Sequence, residues 1–336
     1  MQRHYKRLEV CARPEYRKRF SYQQRLESHK RLVYRRQRRA RRLKGAFALL
    51  VATVVLLIGI CGMWARIPEI PFLGALFGAG RTAAALERGI SAQTAGFATS
   101  VSLDEITDTG FLALINGDFP IGFQPGLDLL TPVEARVPSV TGSESLQPVT
   151  LDAVSDLFDA ARGAQVGALL VVSGYRGFVQ QQQIYDDEPN KSLVQLPNHS
   201  EHQSGLAVDI AAEGVAQSKM SGSRAGKWLA ANAWKYGLIM RYPADKQEVT
   251  GIAYEPWHFR YIGQPHAWYC QQHNLCFEEY IQLLQDTGGY QVALEDKTYT
   301  VLYQVPTDGI LKVPANSGFD VSSDNTGGYI VTVWEQ

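Results

Sequence analysis

Residues 45–65 read GAFALLVATVVLLIGICGMWA, a run of 21 residues without a charge. As a helix rising 1.5 Å per residue it spans roughly 31 Å, which matches a hydrocarbon core of about 30 Å. Helices buried in soluble proteins rarely run so far without a polar face, so this run is expected to be a transmembrane helix. The rest of the chain must then lie on one side of it or the other. Residues 25–44 carry ten Lys/Arg, whereas residues 66–85 carry only Arg66 and Arg81. The basic flank stays in the cytoplasm, so residues 1–44 are expected to be cytoplasmic and everything after residue 65 to face the outside of the cell membrane. The run does not look like a cleaved signal: the preceding segment is long, no small-x-small pair follows, and Ile60 precedes Cys61 where a lipoprotein signal needs a small residue.

The charge balance supports a chain with two environments. The net charge is zero, yet residues 1–44 hold 17 of the 33 Lys/Arg and only Glu9, Glu15 and Glu27 as acids. The rest is correspondingly acidic. The run RRQRRARRLK resembles a nucleic-acid patch in isolation, but beside a membrane span it reads as a topology determinant that touches anionic lipid, with no nucleic-acid partner. Of the four cysteines, Cys11 is expected in the cytoplasm and Cys61 in the membrane. Cys270 and Cys276 fall outside, where disulfides persist, and a bridge between them is expected.

Residues 66–105, rich in Gly, Ala, Ser and Thr, read as a linker, with a short helix near RTAAALERG. A compact domain is expected over residues 106–287. In it, FLALINGDFPIG reads as a strand and turn. TLDAVSDLFDAARG reads as an amphipathic helix with Thr150 as N-cap. ALLVVSGYR reads as a buried strand, GFVQQQQIYDDE and KWLAANAWKYGLI as helices, and the stretch around EEYIQLL as a last helix. Beyond Gly288–Gly289 the texture alternates and is rich in Val, Tyr and Thr, so residues 288–336 read as a small β extension. Helices interspersed with short alternating strands indicate an α+β fold with an antiparallel central sheet flanked by helices.

One carboxylate stands out. Asp209 lies inside LAVDIA, otherwise a buried strand, and an unpaired charge there is costly. His202 lies at the strand's entrance, with Gly205 allowing the bend. About fifty residues on, YEPWHFRYIG sets Glu255 three residues before His258. Two histidines and an aspartate make a three-ligand set for Zn²⁺ with one position left open, and a nearby glutamate that is not a ligand is the base such a site needs. Each piece is weak alone.

Together with SGYR they resemble the VanY-type zinc D-alanyl-D-alanine carboxypeptidases of the LAS metallopeptidases. That family's S-x-H-x-x-G-x-A-x-D is matched by Ser200, His202, Gly205, Ala207 and Asp209. Its E-P-W-H is matched by Glu255–His258, and its S-G-Y-R by Ser173–Arg176, with Gln181 following. The likeness covers about residues 110–285. Gly177–Phe178 and Asn198–His199 depart from it, and the membrane anchor, linker and tail lie outside it. The resemblance implies the DD-peptidase/Hedgehog-like fold. It implies one Zn²⁺ per chain held by His202, Asp209 and His258, with Glu255 taking a proton from the attacking water. Arg176 would bind either the carbonyl oxygen or the terminal carboxylate of a peptidoglycan stem peptide. Ser173, Tyr175, Gln181, Ser200 and Trp257 are further candidate substrate contacts, while His199, His266 and His273 are expected to be structural. The implied activity is D,D-carboxypeptidase. L,D-carboxypeptidase or endopeptidase activity on the same scaffold, and a non-catalytic wall-peptide binder, are the alternatives.

Overall fold

The computed structural model describes residues 88–89, 97, 99–122, 125, 129–191, 193–306, 308–315 and 317–335. The expected basic segment, the apolar run 45–65 and the helix near RTAAALERG lie outside these residues, apart from Arg88 and Gly89. Among the described residues no helix is long and apolar enough to cross a membrane.

Residues 83–336 make one compact unit of helices and antiparallel sheets. In chain order its strands are β1 (Arg88–Gly89), β2 (Thr99–Ser102), β3 (Thr131–Pro132), β4 (Ser145–Leu146), β5 (Leu169–Ser173), β6 (Ala207–Ala212), β7 (Leu238–Tyr242), β8 (Glu255–Tyr261), β9 (Gly289–Leu294), β10 (Lys297–Gln304), β11 (Ile310–Val313), β12 (Gly318–Ser323) and β13 (Tyr329–Glu335). The helices are α1 (Pro148–Gly163), α2 (Phe178–Asp187), α3 (Arg224–Asn232), α4 (Gln247–Thr250), α5 (Gln264–Gln272) and α6 (Phe277–Thr287). The central sheet has the order β5-β6-β8-β7, antiparallel throughout.

Helix α1 forms where its apolar residues recur every three or four positions. Leu151, Val154, Leu157, Phe158 and Ala161 are all buried against the central sheet, in one cluster with Val171, Ile210 and Phe259. Each of the four larger side chains contributes roughly 1.5–3 kcal/mol. The helix begins two residues earlier than Thr150. Pro148, with its fixed φ and no N–H, takes a first-turn position, Gln147 is the N-cap, and Thr150 is buried inside the first turn.

The stretch 111–122 is not a strand. Its backbone groups find other partners: Arg260 donates to the carbonyls of Phe111 and Ala113, Ser322 Oγ accepts from Leu112 N–H, and Asp324 O accepts from Leu114 N–H. With those groups satisfied, a buried segment needs no neighbouring strand.

Residues 288–336 are no separate appendage. Strands β9, β10, β13 and β12 form a second sheet with β1 at its edge. One face of that sheet shares a core with α5 and α6, where Tyr280, Ile281 and Leu284 meet Tyr290, Val292 and Val301. The expected linker 66–105 is likewise corrected near its end. β1 pairs with β9, β2 pairs with β11, and Leu103 N–H reaches Gly309 O, so the folded unit begins before residue 106.

The expected bridge between Cys270 and Cys276 is absent; both are free and buried. Cys270 packs in the apolar core around α5 and α6, and Cys276 is the N-cap of α6, where its side chain accepts from a backbone N–H of the first turn. Burial pushes the Cys276 thiol up to about 12 and the Cys270 thiol well above its ordinary value, so neither is a thiolate.

Candidate functional site

Three neighbouring strands carry the site. Ser173 on β5 lies opposite Asp209 on β6, and Asp209 lies opposite His258 on β8. All six residues of β6 are buried, so Asp209 has no route to water along its own strand. His202 stands in the short 3-10 turn Glu201–Ser204, which Gly205 ends at φ +72° before β6 begins. A side chain at Gly205 would be strained by that angle and would also approach Leu130 Cδ2 to 2.9 Å.

The ligand atoms converge. His202 Nε2 lies 3.4 Å and His258 Nδ1 3.1 Å from Asp209 Oδ1, and the imidazole centroids are 4.8 Å apart at 88°. The three side chains can present atoms all within 4.8 Å of one another. Two of the three have their other polar atom committed, and the third only faces a carboxylate. His202 Nδ1 is 2.7 Å from Gly174 O, which assigns the proton to Nδ1 and leaves Nε2 as a lone-pair donor. His258 Nε2 faces Glu201 Oε2 at 3.7 Å, and Asp209 Oδ2 accepts from Arg176 at 3.0 Å. Asp209 Oδ1 is buried with no hydrogen-bond partner. An orphaned carboxylate oxygen flanked by two imidazole nitrogens fits Zn²⁺, a borderline ion that takes N and O donors and can leave a position open.

The protein's own charges divide the two histidines. Burial, and then the Arg176 guanidinium, push His202 down to about 4, so its ring is neutral and able to ligate. Burial also disfavours charge on His258, but the carboxylates of Asp209 and Glu201 beside it outweigh this and raise it to about 9, so a metal would displace a proton from its ring. Asp209 is held well below the usual carboxylate range because the two histidines overcome its burial. Glu255 is pushed the other way, up to about 7, mainly by burial. A carboxyl titrating near neutrality suits general base work.

The surrounding cleft of about 300 Å³ is lined by Arg176, Gln181, Ser200, Glu255 and Trp257, besides the three ligand candidates. Arg176 is aimed by its neighbours: Nε donates to Ser173 Oγ at 2.9 Å and Nη1 to Gln181 Oε1 at 3.4 Å. Gln181 in turn donates to Gln195 O, which ties α2 to the loop after it. Two predicted contacts do not line the cleft: the Tyr175 N–H is tied to Ser145 O on β4, and Ser173 stands behind Arg176, accepting from its Nε. Of the other histidines, His199 meets Asn116 O and His266 is bonded between Tyr280 and Thr332, while His273 stacks on Tyr269.

Sequence reasoning missed two groups. Tyr242, buried at the cleft wall, lies opposite Glu255 and 4.9 Å from the His258 ring. Glu201, Arg241 and Arg260 form a wholly buried ionic cluster behind His258. Glu201 Oε1 accepts from both arginines at 2.8 Å, and Arg241 also clasps Glu278 on α6. The signal was available: arginines inside LIMRY and WHFRY are as anomalous in buried strands as Asp209 is.

The comparisons with known proteins agree with this geometry. Residues 143–264 match the family described as VanY, D-alanyl-D-alanine carboxypeptidase. A D-alanyl-D-alanine carboxypeptidase of Enterococcus faecium is 40% identical over 177 residues, 52% of this chain and 57% of the relative. The bifunctional D-Ala-D-Ala dipeptidase and D-Ala-D-Ala carboxypeptidase VanXYC of Enterococcus gallinarum is 39% identical over 129 residues, 35% of this chain and 68% of that protein. The chain thus spans only part of the length of these relatives. Among solved structures, the vancomycin-resistance D,D-dipeptidase VanXYg in complex with a D-Ala-D-Ala phosphinate analogue superposes with a TM-score of 0.61 at 28% identity, covering 70% of this chain and 98% of that one.

Proposed function

The chain belongs to the VanY family of D-alanyl-D-alanine carboxypeptidases, and on that premise we propose that it is a zinc-dependent D,D-carboxypeptidase removing the C-terminal D-alanine from peptidoglycan stem peptides. We place it on the DD-peptidase/Hedgehog-like scaffold, anchored by residues 45–65 with its catalytic unit outside the cell membrane. The observation that carries the reading is the convergence of His202 Nε2, Asp209 Oδ1 and His258 Nδ1 beside a glutamate that titrates near 7.

His202, Asp209 and His258 would hold the Zn²⁺, which when bound supplies Lewis acidity toward water and the scissile carbonyl. Glu255 is not needed as a ligand. It lies on the same strand as His258, with Oε2 3.6 Å from Nδ1, where it can take a proton from the attacking water and return it to the departing amine of D-alanine. Arg176 is fixed by Ser173, Gln181 and Asp209, so its remaining donors can meet the carbonyl oxygen or the terminal carboxylate without reorganisation.

Metal content and turnover separate these roles. His202→Ala is expected to lose both zinc and release of D-alanine from a pentapeptide stem. Glu255→Ala is expected to keep near-stoichiometric zinc while turnover drops by about 10²–10⁴-fold, the usual worth of general base catalysis. A zinc-free Glu255 variant, or one with wild-type turnover, would overturn the assignment. Release from a tetrapeptide stem in preference to the pentapeptide would overturn the D,D specificity.

A further inference from the structure

A second cleft, of about 240 Å³, lies where the C-terminal sheet meets the turn after β8. It shares no lining residue with the catalytic cleft. The strand period explains its make-up. Tyr299 on β10, Trp334 on β13 and Asp320 on β12 project from one face of the sheet, while Leu302, Val333 and Val321 fill the core on the other. Tyr299 and Trp334 are direct cross-strand partners, and Trp334 in turn lies opposite Gly318. A Cβ at Gly318 would meet the indole at 3.0 Å, so the glycine lets the ring lie down over β12. From the other side come Phe111 and Tyr261, packed edge to face at 5.6 Å.

The aromatic tips in this cleft are unused. Among the described residues, the hydroxyls of Tyr261 and Tyr299, the indole N–H of Trp334 and the Asp320 carboxylate make no hydrogen bond, and none is sealed from solvent. In the neighbouring core, by contrast, the Tyr280, Tyr290 and Tyr303 hydroxyls all have partners. Rings with free polar tips fit a ligand that is apolar on one face and rich in hydroxyls at its edge, and a sugar ring is such a ligand. The charges point the same way. Asp320 and Lys297 both line the cleft and form no ion pair with each other or with another described residue. One anion and one cation select no ion, but both can bond hydroxyls. The volume falls below the roughly 300–1,000 Å³ of sites for drug-sized ligands, which suits a small ring better than a peptide segment.

We propose that this cleft binds a saccharide unit of the wall glycan, so that the C-terminal sheet holds the polymer whose stem peptides are cut in the catalytic cleft. The glycan assignment rests on the reading of the substrate as a peptidoglycan stem. Tyr261 is three residues past His258 on β8, roughly 10 Å along the strand and on its opposite face, so a polymer filling both clefts would pass around the end of β8.

The test uses the full chain purified in mild detergent and two probes: glycan strands stripped of stem peptides by an amidase, and a sugar-free pentapeptide stem. Titration calorimetry is expected to show binding of the stripped glycan. Trp334→Ala and Asp320→Asn are each expected to weaken it by tenfold or more with turnover of the pentapeptide unchanged, and Asp320→Asn is expected to keep the wild-type Tm as well. Absence of glycan binding by the intact protein, or wild-type affinity in both variants, would overturn the proposal. So would displacement of the glycan by the free pentapeptide, which would assign the cleft to peptide. If Trp334→Ala fails to fold, Asp320→Asn decides. Glycan binding without pentapeptide turnover would leave this site standing and sink the carboxypeptidase reading, whereas turnover without glycan binding would do the reverse.

Discussion

Glu201 shows how much of the catalytic geometry is held from behind. Its carboxylate is fully buried, and Arg241 and Arg260 hold it far below the usual carboxylate range despite that burial. One oxygen serves the arginines and the other faces His258 Nε2 at 3.7 Å, so the residue next to one ligand candidate sets the charge behind another. Replacing it by glutamine would leave Arg241 with Glu278 alone and Arg260 with only carbonyl partners. Breaking a buried pair in this way typically costs about 3–5 kcal/mol. Glu201→Gln is therefore expected to lower the urea midpoint substantially. Loss of such an outer partner typically weakens metal binding 10–100-fold, so chelator titration should show weaker zinc retention in the fraction that folds. Wild-type stability and wild-type zinc retention together would show that the cluster is idle. The ligand candidates were legible in the sequence because Asp209 breaks an apolar strand and two short motifs accompany it. The cluster was equally anomalous, with Arg241 and Arg260 in apolar strands, but its anion sits in a turn 40 and 59 residues away, and no local spacing links them.

At the scale of elements, α1, β5 and the β9–β10 hairpin form where periodicity places them, because each buries its own apolar face, whereas α2 buries only Gln181 and leaves Phe178 and Val179 exposed. The segment 111–116 does not, since its partners are a guanidinium from β8 and groups from the C-terminal sheet. That sheet is locked to the helices through His266. The ring lies 2.6 Å from Tyr280 Oη on α6 and 3.0 Å from Thr332 Oγ1 on β13, and burial pushes it down to about 3. An unfolded histidine titrates near 6.5. Between these values the unfolded chain binds the proton and the folded one does not. The stability that comes from keeping His266 neutral is therefore complete above about pH 6.5 and is lost as pH falls from there toward 3, by at most about 1.4 kcal/mol per pH unit. Denaturation curves across this window are expected to show a flatter pH dependence for His266→Gln than for the wild type. Parallel curves would mean that the ring charges freely in the folded state.

At the scale of the whole molecule, the reading of residues 288–336 as an extension makes a different forecast from the shared core. If the tail were independent, a chain ending at residue 287 would keep its Tm and its turnover. The structure predicts otherwise, because truncation would strip the cover from Tyr280, Ile281 and Leu284 and remove the partners of Leu112 and Leu114. Each uncovered side chain forfeits roughly 1.5–3 kcal/mol, against a total stability of about 5–15 kcal/mol for a typical domain. The truncated chain is expected to be insoluble or rapidly degraded by trypsin under conditions where the full chain resists. At the opposite end, the ten basic residues at 25–44 against two at 66–85 set the expected orientation about the apolar run 45–65. A carboxypeptidase acting on wall stems must work outside the cytoplasm, so charge and function demand the same arrangement from independent premises. With epitopes placed at each terminus, protease added to intact protoplasts is expected to remove the C-terminal epitope and spare the N-terminal one. Moving eight of the basic residues to the far side of the run should invert the pattern and abolish D-alanine release from whole cells while leaving activity in lysates. Protection of the C-terminal epitope in the unaltered chain would refute both the orientation and the site of action.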